Sequence, residues 1–335
     1  MVKTPAFWAR RGVPALLLLP LGLLFWLLAG LRRAAYRRGW LQAQRVAVPV
    51  VVVGNLGAGG AGKTPVVMRL VEDLRASGHH PGVVSRGYGG RLRGAGSVVR
   101  ESDPALVGDE PVLIVQVTGC PLAVGRDRVA AARLLLAQHP EVDVIVSDDG
   151  LQHYRLARDV EIVVADGEAG FGNGWPLPAG PLREPLARLK QADAVVLTQR
   201  PGAPALRVDH PQVFSVTPGP GRIYPVGRPA AAVAPARLPR KILAVAGIAR
   251  PQPFFRTLAD LGFEAEERAF PDHHVFRAAD LQGGLPVVMT EKDAVKCRAY
   301  ARPDWYALEW RVAENTALRA WLAEKLGALK AQTRE

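Results

Sequence analysis

A chain of 335 residues, 49% of them hydrophobic, is too apolar to stay disordered and long enough to hold two domains. Its formal net charge of +12 points to an anionic partner, whether nucleic acid, membrane or a phosphorylated substrate, yet no basic and aromatic RNA-binding motif accompanies that charge. Its two cysteines, Cys120 and Cys297, form no C-x-x-C pair, which argues against a disulfide scaffold or a zinc site and suits a reducing compartment.

Residues 13–31 contain no charged side chain and are long enough to cross a bilayer core as a helix. Lys3, Arg10 and Arg11 precede the stretch, and Arg32, Arg33, Arg37 and Arg38 follow it where a cleavage site would need small residues, so an anchor is favoured over a cleaved signal peptide. The denser charge after the stretch places the following body on the cytoplasmic side. Pro14, Pro20 and Gly22 leave a kinked or interfacial helix as the alternative.

Apolar runs at 50–53, 82–85, 111–116, 142–147, 160–165 and 194–198 are predicted strands, and 64–76, 126–138 and 186–191 predicted helices, with Ser77-Gly78 ending the first. That alternation is the rhythm of a doubly wound α/β sheet. A Pro- and Gly-rich stretch at 217–239 reads as a linker or peripheral ribbon. A second series follows, with strands at 241–249, 286–290 and 305–310 and helices at 254–261 and 316–331. The expected organisation is an anchor with basic flank over 1–40, a nucleotide-binding domain over 41–225 and a smaller α/β domain over 226–335 that closes on it.

Gly57-Ala58-Gly59-Gly60-Ala61-Gly62-Lys63-Thr64 matches G-x-x-x-x-G-K-[ST] between a predicted strand and a predicted helix, with Pro65 in the helix's first turn where no N–H is missed. A tight turn alone would also use glycines. In this setting the pattern predicts bound nucleoside triphosphate: Gly57, Gly59, Gly60 and Gly62 let backbone N–H groups face phosphate oxygens, Lys63 reaches the terminal phosphates, and the Thr64 hydroxyl can ligate Mg²⁺. Asp148 and Asp149 end a hydrophobic strand, where carboxylates of a P-loop protein hold Mg²⁺ directly or through water; before Gly150 they could equally cap a turn.

The ordered set GNL at 54–56, SRGYG at 85–89, VGDEP at 107–111, GRDR at 125–128, DDGLQH at 148–153, GPLREP at 180–185, FPDH at 270–273 and TEKDAVK at 290–296 resembles the tetraacyldisaccharide 4′-kinase family, over roughly residues 10–296. The resemblance implies a membrane-bound P-loop kinase using ATP and Mg²⁺. Its acceptor would be the 4′-hydroxyl of an acylated glucosamine disaccharide 1-phosphate, giving lipid IVA at the cytoplasmic face of the bacterial inner membrane. The family pattern assigns proton acceptance to Asp109 with His273, which the residues alone would leave as a loop before a strand and as a surface turn or half a metal site. Arg86, Arg126, Arg128 and Arg183 suit the substrate's phosphates, at least one of them being expected to be structural, and Tyr88, Gln152, His153 and Glu184 are the further substrate candidates. Lys292 and Asp293 suit either nucleotide contact or interdomain pairing. The expected partners are the lipid substrate and membrane lipid, with no nucleic acid, and the chain is expected to be a monomer. A P-loop switch protein and a nucleic-acid-dependent ATPase are the alternatives, distinguished by lipid-dependent ATP turnover and by salt-sensitive nucleic-acid binding.

Overall fold

A computed structural model describes residues 5–200, 202, 206–229 and 231–332; Lys3 of the basic front lies outside them. Helix α1 (Val13–Arg37) carries the apolar stretch, with Pro14 in its first turn and Pro20 inside it. It packs one narrow side against the body, burying Ala15 and Gly22 while Leu16, Leu17, Leu21, Leu24 and Leu28 stay exposed. A Cβ on Gly22 would stand 2.7 Å from Pro176 Cγ, so only glycine permits this approach.

The first sheet is built from β1 (Val50–Gly54), β2 (Pro81–Ser85), β3 (Ala95–Val98), β4 (Leu122–Gly125), β5 (Val144–Asp148), β6 (Val160–Asp166), β7 (Ala194–Thr198) and β8 (Val213–Val216). Its order is β3-β4-β2-β5-β1-β6-β7-β8, parallel except for β3 against β4. Such a sheet is covered on both faces, which is why β1 reads as unbroken valine. Val51 and Val53 enter one core with helix α2 (Lys63–Ala76) and helix α4 (Asp109–Thr118), while Val50 and Val52 enter the other with helix α5 (Arg128–Gln138). A single turn, α3 (Pro104–Val107), precedes α4.

The strand expected at 111–116 is instead the body of α4. Its run Val112-Leu113-Ile114-Val115 is buried on all sides, a pattern that periodicity cannot assign. Gly108 at φ 94° and Gly119 at φ 60° bound it, and Pro111 falls in the first turn, where it costs no hydrogen bond. The helix expected at 186–191 is a 3₁₀ helix.

The stretch expected to be a linker supplies β9 (Pro218–Pro225), the edge of a second sheet ordered β11-β10-β12-β13-β9. In it β10 (Lys241–Ala246), β11 (Glu264–Ala269), β12 (Val287–Thr290) and β13 (Trp305–Val312) are parallel, and β9 runs antiparallel to β13. Helix α6 (Gln252–Asp260) covers one face, and α7 (Glu291–Cys297) follows β12 directly. The final helix α8 (Thr316–Gln332) leaves this sheet and returns to the first core, burying Leu318, Leu322 and Leu326 there. The chain thus crosses between the halves at 216–218 and again at 312–316, and the two crossings touch, Ala313 N donating to Thr217 O at 3.0 Å.

Candidate active site

Strand β1 lies between β5 and β6, the position where successive connections depart in opposite directions and a crevice opens beyond the strand ends. The glycine-rich loop leaves β1 there. Gly59 (φ 123°) and Gly62 (φ 73°) adopt conformations that residues with a side chain rarely take, and Gly62 caps α2 so that the helix's free N–H groups face the crevice. Ala58 N, at the loop's start, already donates to Pro181 O at 2.7 Å, and Gly57 bridges to Leu182; the GPLREP segment therefore holds the loop's base. Lys63 Nζ rests 3.2 Å from Asn55 Oδ1 and 3.4 Å from Asp149 Oδ1. Pro65 follows in the first turn of α2, and with Lys63 and Thr64 it lines the cleft.

The β1–β5 register pairs Val53 with Asp148, setting that carboxylate level with the strand end from which the loop departs. Asp148 is 1% exposed; its Oδ2 accepts from Ser85 Oγ at 3.0 Å, while Oδ1 is buried without a hydrogen-bond partner among the described residues. Burial, followed by the charges of Glu110 and Asp149, pushes its pKa up to about 7. Asp149 takes φ 47°. Burial alone would raise its pKa, but Lys63 and Arg183 hold it below the usual carboxylate range. An orphaned buried carboxylate oxygen beside the loop lysine is the donor a divalent cation needs, and two acids with a threonine suit Mg²⁺, which takes few protein ligands and completes its shell with phosphate and water.

Across the crevice, His273 from the loop after β11 meets Asp109, the first residue of α4: Nδ1 lies 3.0 and 2.9 Å from the two carboxylate oxygens. His273 holds φ 59°, and the Tyr88 ring covers its imidazole with centroids 5.1 Å apart. Burial would raise the Asp109 pKa, but the His273 hydrogen bond and the Lys292 charge outweigh it and hold the carboxyl below its usual range. Lys292, at the start of α7, reaches Glu110 Oε1 (2.9 Å), Asp272 Oδ1 (3.1 Å) and His273 Nε2 (3.3 Å). Burial opposes the Lys292 charge, but the three acids Glu110, Asp109 and Asp272 raise its pKa. Asp293 turns away, its Oδ2 accepting from Gly247 N and Thr290 Oγ1 within the second half. One cleft of about 950 Å³ is lined by Lys63, Thr64 and Asp149 on one wall and by Glu110, His273 and Lys292 toward the other. Arg250 of the second half pairs with Asp166 at the end of β6, at the same cleft.

The remaining candidates divide. Arg183 contacts Asp149 Oδ2 (3.5 Å) and Gln152 Oε1 (3.4 Å), whereas Arg86 and Arg126 are exposed. Arg128 is buried, donating to Gly125 O and Asp149 O. His153 Nε2 accepts from Arg128 N, and burial, then the Arg128 charge, pulls its pKa down to about 4, so it is a neutral acceptor at the head of α5. Glu184 is 5% exposed beneath the rim, accepting from Gln152 Nε2 (2.9 Å) and Tyr154 OH (2.7 Å), and it pairs with Arg33 of α1 at 3.5 Å. Arg32 also donates to Gln152 O, so the apolar helix is fastened to the loop behind the phosphate site. Glu110, Asp272 and Tyr154 were not singled out from the sequence; the first two lay inside the VGDEP and FPDH motifs without a role.

Comparison with known proteins places the chain in a family. The family described as Tetraacyldisaccharide-1-P 4′-kinase matches residues 14–327. A tetraacyldisaccharide 4′-kinase of Thiobacillus denitrificans is 50% identical over 333 residues, covering 98% of this chain and 100% of that protein. Its counterpart in Alkalilimnicola ehrlichii is 49% identical, covering 99% of each. The crystal structure of LpxK from Aquifex aeolicus in complex with ATP superposes with a TM-score of 0.80 at 27% identity, covering 94% of this chain and 100% of that one.

Proposed function

The chain belongs to the tetraacyldisaccharide-1-P 4′-kinase family and is an ATP-dependent kinase of lipid A biosynthesis, and from that premise we propose how its own residues carry out the transfer. The loop glycines and the α2 N-terminus bind the ATP phosphates, and Lys63 leaves Asn55 to neutralise the transferring group. Thr64, Asp148 and Asp149 would hold Mg²⁺, which supplies charge neutralisation on the phosphates. Asp109 and His273 act as one proton-accepting unit: the acceptor's 4′-oxygen bonds to the γ-phosphorus, the bond from that phosphorus to the ADP oxygen breaks, and the hydroxyl proton passes to the pair. Arg86, Arg126 and Arg183 grip phosphate, and Tyr88, Gln152 and Glu184 shape the sugar site, with Arg128 and His153 holding the loop that carries them.

Helix α1 seats the protein at the inner membrane with the body on the cytoplasmic face. Its exposed leucines meet acyl chains, and Arg32 and Arg33 bring the headgroup toward the phosphate loop. The positive charge serves this anionic lipid and its bilayer rather than nucleic acid. One chain carries both walls of the cleft, which supports a monomer.

The observation that carries this reading is the Asp109–His273 contact formed between the halves in the cleft that holds the P-loop. Asp109→Asn and His273→Ala should each lower kcat by roughly 10²–10⁴ with ATP affinity near normal, the range for a lost general base. The double variant should be little worse than the poorer single one, since a catalytic unit is non-additive. Kinetics of the four proteins with saturating ATP and lipid, beside direct nucleotide binding, decide it; independent multiplication of the losses would refute the shared unit.

A further inference from the structure

The imidazole of His273 has two hydrogen-bonding neighbours of opposite kind, with the Asp272 carboxylate oxygen farther off, 3.7 Å from Nε2. At Nδ1 stand both oxygens of Asp109, which can only accept from it when ionised; at Nε2 stands the Lys292 ammonium, which can only donate. One neutral tautomer satisfies both contacts: a proton on Nδ1 given to Asp109, and a lone pair on Nε2. We propose that Lys292 is a positioning residue that selects this tautomer, reaching from α7 to keep the Nε2 lone pair directed into the cleft until the acceptor hydroxyl takes its place. The assignment rests on the reading of Asp109 and His273 as the proton-accepting unit.

The surroundings make Lys292 suited to that task. Asp272 and Glu110 hold its ammonium at 3.1 and 2.9 Å, one from the histidine's own loop and one from the residue next to Asp109, so its position follows both halves of the pair. The Tyr88 ring lies against the imidazole, and Lys296 stands 4.0 Å from Asp109 and 2.7 Å from Asp293. Among these described neighbours, Lys292 is the donor placed at Nε2. Without it, Asp272 Oδ2, 3.7 Å from Nε2, is the group left facing that nitrogen, and an acceptor there favours a proton on Nε2, which leaves no lone pair to offer the hydroxyl even while Asp109 holds the proton on Nδ1.

The test uses the full-length protein in detergent micelles with ¹⁵N-labelled histidine, the His273 signals being assigned by their loss in His273→Ala. The wild type should show a protonated Nδ1 and an unprotonated Nε2; a wild-type ring protonated on Nε2 alone would overturn the proposal without any variant. Lys292→Met should raise the fraction of rings protonated on Nε2 and lower kcat by about 10–100-fold, less than loss of the base itself, while KM for ATP stays within about twofold. Lys292→Arg, which keeps a donor, should restore the tautomer and most of kcat. An unchanged tautomer in Lys292→Met, or a raised KM for ATP at unchanged kcat, would show that Lys292 serves the nucleotide or the fold instead. If His273→Ala keeps its activity, the base assignment falls, and the nitrogen spectrum still decides what Lys292 does.

Discussion

Asp148 carries a carboxyl left half satisfied, one oxygen on Ser85 and the other without a hydrogen-bond partner among the described residues. Its pKa stands at about 7 in the fold against 3.8 in the unfolded chain, so between those values the folded state binds the extra proton. Stability therefore falls as pH rises through that window, and above it the fold bears the full cost of an ionised buried acid. Asp148→Asn should melt higher than wild type at pH 8 in the absence of nucleotide and divalent cation, with the gain shrinking toward pH 5. Each kcal/mol recovered moves the midpoint of a domain this size by about 2–4 °C. Thermal unfolding of both proteins at the two pH values checks it, and equal midpoints at pH 8 would contradict the strain assigned to this residue. The same variant should lose kinase activity. At this scale the phosphate loop was legible because glycine at a left-handed position leaves a mark in the sequence, as at Gly59 and Gly62. The left-handed His273 leaves none, and its meeting with Asp109, 164 residues away, was reachable only through likeness to a family.

Elements were legible where a short apolar run is bracketed by turn residues or charges. β1, β2, β6 and β7 stand within a residue of where the apolar runs place them. The run in α4 failed because a helix buried all round and a buried strand present the same letters, and the decisive bounds, Gly108 and Gly119, flank rather than occupy it. β11, with the sequence Glu-Ala-Glu-Glu-Arg-Ala, lies at a sheet edge and is drawn into register by β10, not by any preference of its own. For α1, length and hydropathy mark a helix long and apolar enough to cross a membrane, but its side against Pro176 is a tertiary fact. Gly22→Leu should overpack that contact at a cost of about 1–3 kcal/mol, reducing the docked helix population by roughly 5- to 150-fold. KM for the lipid should rise while ATP binding and membrane recovery persist. An unaltered lipid KM in Gly22→Leu would mean that docking of α1 has no part in presenting the substrate.

At the scale of the molecule, the last helix belongs to the core of the first half, a placement that sequence order conceals because α8 follows the second sheet directly. Deleting residues after Ala313 removes Leu318, Leu322 and Leu326, all at most 1% exposed. At about 2–5 kcal/mol for each buried leucine, the loss rivals the 5–15 kcal/mol that holds a typical domain, so the truncated protein should be insoluble or unfolded by circular dichroism. A folded, soluble product would show that α8 is an accessory. The helix's return has a second effect. A body tethered by one strand can tumble about it, whereas one tethered by two touching strands, as at Thr217 and Ala313, retains a single soft rotation about the line they define. A second half that opened about that line would return along the same arc and bring His273 back to the same Asp109 carboxylate.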